Sequence, residues 1–505
     1  MRGFNTLLFV LFALSANAAD GTLGTVSVQK GNNVSVNGEA PLSLTLDGKD
    51  HQSCQFLSKR APDESHEFTW KEVTTTRGGE LAEILGDQLR SVDSLVVKGN
   101  VNDKDFHAMW DASLYGYLSV INLKNAVLEN NAVPDTAFFH ENEQYEGSSH
   151  EIFYYIGLRK IILPEGLEKI GEGAFYQASA LRQVNFPSTL RYIGDFAFNA
   201  TKLEMNQLVI PEGVEEINQY AFAFCRKLKA QVTLPSTIKK IGEWAFYGCP
   251  ITSINLPEGL ESLGSLAFWD CDLREVSIPS SCHEFNEGWQ FGFNRNLEKM
   301  HLPEGMTEIP DHFAVDCFRL REVNFPHTLK HIGEKAFSLC ISLKNVDLPL
   351  GMQSLGEEAF SELEALEQIV FPASMKSLGK NSCSYWKNIK RIYCAAMEPP
   401  VCDPTDGGVF SGFDFPDGFD TPVVYIPKGT INKYKDTSRN CMGWEKFWNY
   451  VEIDPSEFPT TAIDSPAIVE TLSKDNSVYD LMGRKVERPQ KGNIYIQNGK
   501  KFVAK

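Results

Sequence analysis

Past its first eighteen residues the 505-residue chain has no apolar run approaching the roughly 20 residues that a membrane-crossing helix needs. No helical membrane span is therefore expected. Basic charge is also in short supply: 48 Lys and Arg stand against 66 Asp and Glu, a formal charge of −18. Such a surface repels phosphate backbones, so no nucleic-acid partner is expected. Equally missing are a nucleophile elbow, a helix with paired zinc-binding histidines and a phosphate-binding glycine loop. No enzyme chemistry, cofactor or metal is expected. His327 and His331 are four residues apart, but they fall in a turn and at a variable position of the repeat described below. The acidic stretches 403–406 and 414–420 lack the ligand spacing of a calcium loop. The 11 cysteines are odd in number, which leaves at least one thiol unpaired within the chain.

What is present begins with an address. Arg2, the apolar run Leu7 to Leu14 and the small-residue site Ala16-Asn17-Ala18 have the layout of a cleavable secretory signal. Cleavage after Ala18 would make the mature chain one charge more negative. The expected location is secreted or on the outer cell surface.

The dominant signal is a period. Marker prolines fall at Pro164, Pro187, Pro211, Pro235, Pro257, Pro279, Pro303, Pro326, Pro349 and Pro372, always 22 to 24 residues apart. Each follows an apolar-x-apolar run such as Val184 to Phe186, whose period of two marks a short strand that the proline ends. The next stretch, typified by Leu190, Ile193, Gly194, Ala197 and Phe198, spaces its apolar residues as a helix would. The glycine is read as supplying freedom for a tight turn. Units of this kind bury their apolar faces only by stacking, which puts like strands side by side about 4.8 Å apart. The expected fold is an α/β repeat: a solenoid with a parallel β-sheet on its concave face and short helical or turn segments on its convex face.

The flanks differ from the repeats. Residues 19–79 form a β-rich segment with alternating runs at Val26 to Val28 and Val34 to Val36, too short for a catalytic core. Residues 80–145 read as an amino-terminal cap and irregular first repeat, with Leu81, Ile84, Leu85 and Leu89 helical, Leu95 to Val97 extended and 118–123 a first strand. Repeats occupy 146–394. A carboxy-terminal cap spans 395–454, with Trp444, Phe447 and Trp448 as cap residues, and a Pro/Ser/Thr linker spans 455–466. Residues 467–505 make a small β-rich domain, whose Asn498-Gly499 between alternating apolar residues marks a hairpin.

The unit apolar-x-apolar-Pro-x-x-Leu-x-x-Ile-Gly-x-x-Ala-Phe-x-x-Cys, as in PSTIKKIGEWAF at 235, resembles the BspA-like family of bacterial leucine-rich repeats. It departs from that pattern at Gln290-Phe291, at the inverted Phe313-Ala314 and at Ser382-Cys383, where local irregularity is expected. The tail from Ser477 resembles the sorting domains that anaerobic Gram-negative bacteria use for type IX secretion. These resemblances imply a leucine-rich-repeat solenoid that is exported and adhesin-like, binding host or community macromolecules. A structural spacer or self-associating surface protein is the alternative.

Two surfaces qualify as binding faces for an extracellular protein or glycan, with the protein itself a monomer. Between the buried strand positions lie Asn185, Thr233, Asn255, Ser277, His301, Asn324 and Asp347, a polar column that serves either as a ligand face or as a solvated sheet. Before the Ala-Phe pair stands an aromatic stripe containing Phe196, Tyr220, Trp244, Leu266 and Trp289. Its aromatics suit interface anchors, or else pack edge-on and half-buried against the next repeat. Tyr247 is expected to be exposed. Cys225, Cys249, Cys271, Cys317 and Cys340 share one slot. Their spacing suits buried free thiols better than disulfides or a tetrahedral metal site. Cys394 and Cys402, either side of Pro399-Pro400, are the better disulfide candidates.

Overall fold

The computed structural model describes residues 66–139, 156–403, 408–412, 422–436 and 443–459 in full, with the backbone of short strands at 24–57, 153–154 and 478–503. The leader, Cys54, Cys441 and the acidic loop 414–420 lie outside the described residues. Contacts divide the chain into two units, residues 1–297 with 313–317, and residues 298–312 with 318–505.

Both units are built from stacked coils in parallel register, and among residues 156–403 there is no α-helix. In the first unit the expected strands form parallel ladders that include Val120–Leu128, Lys160–Ile162 and Gln183–Val184, and further on Gln207–Val209, Gln231–Thr233 and Ser253–Asn255. A second parallel sheet, not expected from the repeat, runs beside them. Its seven strands include Lys169–Ile170, Tyr192–Ile193, Lys240–Ile241 and Ser262–Leu263, each carrying the repeat's isoleucine position inward. The apolar spacing that suggests a helix is therefore a strand followed by a turn.

That turn satisfies its backbone without helical bonds. The N–H groups of Tyr220, Phe222 and Phe224 donate to Glu243, Ala245 and Tyr247 of the next coil at 2.7–2.9 Å, while the intervening Ala223 and Cys225 donate within their own turn. The alternation needs left-handed backbone at Tyr220 and Phe224, with φ of 55° and 60°. The repeat glycine has another purpose than the one expected. Gly194, Gly242 and Gly264 do not adopt positive φ; a Cβ on Gly264 would lie 2.4 Å from the Glu243 nitrogen of the preceding coil. Close approach of backbones, not turn freedom, demands glycine here.

Each coil contributes one fully buried phenylalanine to a column through the first unit. Phe138, Phe175, Phe198, Phe222, Phe246, Phe268 and Phe291 stack with successive ring centroids 5.2–5.6 Å apart. The inverted pair breaks the pattern as anticipated: Phe313 meets Phe291 edge-on, at 75°. At the start of this unit Trp70–Thr75 and Ser94–Val101 extend the sheet, and Leu81–Leu85 is helical with Ile84 exposed. Residues Asp103–Tyr115 add a helix not expected from the repeat. The buried Asp105 carboxylate ties that helix down by accepting from the backbone N–H of Gly79, Leu81 and Asn102.

The second unit repeats both sheets. Glu308–Ile309, His331–Ile332, Ser354–Leu355, Ser377–Leu378 and Val401–Cys402 form one; Gln368–Phe371, Arg391–Cys394, Val423–Pro427 and Tyr450–Ile453 form another. Near its end Tyr434, Trp444 and Phe447 are buried, whereas Trp448 is 60% exposed. The tail strands Ile494–Gln497 and Lys500–Val503 pair antiparallel with Gln497 opposite Lys500, and the expected turn Asn498-Gly499 lies outside the described residues. Val26 to Val28 likewise pair with Val34 to Val36.

Candidate binding surfaces

The expected polar column exists, but its amides are largely occupied. Asn185 accepts from the Leu163 N–H at 2.7 Å and donates to the Leu163 carbonyl at 3.0 Å, and Asn324 holds Leu302 in the same way. Asn255 accepts from the Leu234 N–H. Asn185 and Asn324 each extend the ladder by a pair of bonds just before the proline that ends the strand, and Asn255 by a single bond. The amides clamp coil to coil, a role that leaves little for a ligand. Thr233 and Ser277 remain exposed, His301 lies half-buried in register with Asn324, and burial pushes the Asp347 carboxyl up. Beside them, Gln207, Gln231 and Ser253 form a second exposed column.

The aromatic stripe packs differently from the edge-on expectation. Phe196, Tyr220 and Trp244 lie face to face, with centroids 4.7 and 5.2 Å apart and planes within 14°. Tyr247, expected to be exposed, is 3% exposed against Phe224 and Trp244. The cause is an outer layer that the repeat motif does not announce: Phe224, Tyr247, Trp269 and Val315 form a hydrophobic cluster outside the phenylalanine column, with Tyr220, Trp244, Leu266, Trp289 and Phe293 packed half-buried around it. Gly292 makes room for this layer, since a Cβ there would sit 2.2 Å from the Trp269 ring. Trp269 in turn contacts Trp289 and Phe293 at 5.1 and 4.5 Å.

The slot is left-handed throughout the repeats: Phe196, Tyr220, Trp244 and Trp289 adopt positive φ of 55–66°, and Leu266, His312, Lys335 and Glu358 φ of 51–56°, so this conformation belongs to the coil and not to the belt. In addition, the Trp244 indole N–H and the Tyr220 hydroxyl have no hydrogen-bond partner among the described residues and are not sealed from solvent. Desolvation, followed by the Glu243 carboxylate, pushes the Tyr220 hydroxyl up to about 12, so it stays protonated and able to donate.

The cysteine slot holds free buried thiols with a specific bond. Cys225, Cys249 and Cys271 each donate to the carbonyl of the preceding coil's column residue: Phe198 at 3.2 Å, Phe222 at 2.9 Å and Phe246 at 3.3 Å. Where the slot is not cysteine, another donor serves: Thr201 to its own coil's Phe198, Asn294 to Phe268, Trp386 to Phe360. The disulfide candidates Cys394 and Cys402 are free as well, and the Tyr434 hydroxyl donates to the Cys394 sulfur at 3.2 Å. Burial pushes Cys317 up to about 12 and Cys249 and Cys271 well above the usual 9. These thiols lose protons on unfolding near pH 9 but not in the fold, so their stabilisation is complete below pH 9. It should fall by up to about 1.4 kcal/mol per pH unit per thiol as pH rises toward 12. Denaturant midpoints at pH 8, 9.5 and 10.5 check this, against a Cys249→Ser, Cys271→Ser, Cys317→Ser variant that should decline less.

His327 pairs with Glu304 at 2.8 Å and His331 with the Ser354 hydroxyl at 2.7 Å, so the structure does not bring them together. No cluster of three or more potential metal ligands occurs among the described residues. No helix among them is long and apolar enough to cross a membrane.

Comparison with known proteins agrees with this architecture. Residues 148–231, 230–337 and 312–397 match the BspA-type leucine-rich-repeat region, in six copies. The repeats are BspA-type leucine-rich repeats. Solved structures similar to the chain include a leucine-rich-repeat protein from Bacteroides ovatus, 23% identical over 55% of this chain and 79% of its own, with a TM-score of 0.38. A leucine-rich cell-surface protein from Faecalibacterium prausnitzii is 21% identical over 52% and 83%, with a TM-score of 0.31. The pneumococcal vaccine antigen PcpA is 17% identical over 86% and 98%, with a TM-score of 0.34. No curated protein matches the chain.

Within these BspA-type repeats the position before Ala-Phe is variable, and its chemistry differs between the two units. The first unit fills it with Phe196, Tyr220, Trp244, Leu266 and Trp289; the second with His312, Lys335 and Glu358. The second unit has an open groove of about 590 Å³ over its second sheet, where the small Ser354 and Ser377 follow His331. In the first unit Lys169, Tyr192, Lys240 and then Ser262 occupy corresponding strand positions.

Proposed function

We propose that this protein is an exported binding module that takes an extracellular macromolecule along the aromatic belt of its first unit. The observation that carries the reading is the row of half-buried aromatics in which the Tyr220 O–H and Trp244 N–H have no partner among the described residues and are not sealed from solvent. Large aromatics with a polar handle are typical interface anchors. Export rests on the leader ending at Ala18 and on the sorting-like tail. The sheet face is the lesser candidate, because Asn185, Asn255 and Asn324 are committed to neighbouring coils.

The test is a binding screen of residues 19–505 against immobilised matrix proteins and glycans, repeated with Trp244→Ala. A few aromatic anchors carry most of an interface's energy, so the variant should weaken binding about 30-fold or more. Unchanged binding in Trp244→Ala would remove the belt as the binding surface.

A further inference from the structure

We infer that the belt's ligand is an extended, proline-rich polypeptide lying along the stacked Phe196, Tyr220 and Trp244 rings; this rests on the belt being the binding surface. Three observations select that partner.

First, the rings spend their faces on one another, with planes 8° and 14° apart. A sugar polymer needs free ring faces to stack upon, so the belt offers it little; ring edges and donors remain outward. Second, those donors are unmatched: the Trp244 N–H and the Tyr220 O–H bond to nothing among the described residues. Proline-rich chains complement them, because proline has no N–H and its carbonyls in an extended helix have no internal partner. Third, the spacings agree. Two ring steps of 4.7 and 5.2 Å bring the belt through roughly 10 Å, close to one turn of polyproline helix, three residues at about 3.1 Å each. Such a ligand is already stiff and aromatic-lined surfaces recognise it with little ordering cost.

The probe is a blocked twelve-residue oligoproline, titrated calorimetrically into the mature chain, with a Gly/Ser peptide of equal length and soluble dextran as comparisons. Saturable oligoproline binding is expected, roughly tenfold weaker in Trp244→Ala, with Trp244→Phe and Tyr220→Phe each weakening it roughly threefold. The two Phe variants keep their rings, so the result does not depend on whether Trp244→Ala folds; circular dichroism confirms each fold. No oligoproline binding, binding indifferent to all three variants, or preference for dextran would overturn the inference. A matrix protein or glycan bound in a Trp244-dependent way without oligoproline binding would overturn this ligand class and leave the belt standing; indifference of every ligand to Trp244 would remove both.

Discussion

Replacing Phe246 by alanine should lower the unfolding free energy by about 3–5 kcal/mol, because a fully buried ring is lost from a place that cannot close up. Phe246 sits 5.3 Å from Phe222 and 5.6 Å from Phe268, held by coils above and below whose own rings are stacked in turn. Relaxation into the gap would pull those neighbours off register. Since each coil is supported only by its neighbours, hydrogen exchange should quicken in the flanking coils before it does so at a distance. Tyr247 makes the informative partner. As an exposed residue it would tolerate alanine almost freely, but it is buried against Phe224 and Trp244. Tyr247→Ala is therefore expected to fall within about 2 kcal/mol of Phe246→Ala by denaturant melting. A loss under about 0.5 kcal/mol would mean that the outer aromatic layer is not packed.

Gly264→Ala is the second large effect, and it adds atoms instead of removing them. Its methyl group would meet the Glu243 nitrogen at 2.4 Å and the Gly242 carbonyl carbon at 2.5 Å, both backbone atoms of the preceding coil. Neither can swing aside as a side chain would. The Gly264 N–H also donates to the Ile241 carbonyl at 2.8 Å, so the clash must part a ladder bond or tilt the coil. Overpacking typically costs about 1–3 kcal/mol, and rigid backbone on the receiving side places this case at the upper end. Gly351→Ala is the control, for its nearest neighbours lie 3.9 and 4.0 Å away and its φ is ordinary. It should change stability by no more than about 0.5 kcal/mol. Equal effects at the two glycines would show that coil approach does not explain the repeat glycine.

The period of the prolines was enough to locate the coils and their first strand, because a strand ended by proline leaves a pattern of two that few other structures imitate. It was not enough to distinguish a helix from a strand and turn. Leu190, Ile193, Ala197 and Phe198 keep helical spacing while lying before, in and after the strand Tyr192–Ile193, the last two in its left-handed turn, and nothing in the intervals separates the two. The helix Asp103–Tyr115 carries its own sequence sign in the Asn102 cap, but it lies outside the repeat's period. At the candidate sites, sequence gives the residues but not what they already hold. Asn185 and Asn324 look free in a strand pattern, and only the neighbouring coil reveals that their amides are engaged. Tyr247 and Trp269 look like surface positions of the unit because the motif defines a single core; Gly292, opposite Trp269, was the available sign of a second layer.

The central claim, that the belt and not the sheet face carries the ligand, is tested most directly by a hydroxyl-radical footprint of the mature chain with its bound macromolecule. The account predicts protection of Phe196, Tyr220, Trp244 and Trp289, with Gln207, Gln231, Thr233 and Ser253 modified as in the free protein. Protection of those four sheet residues with the belt still fully reactive would contradict it.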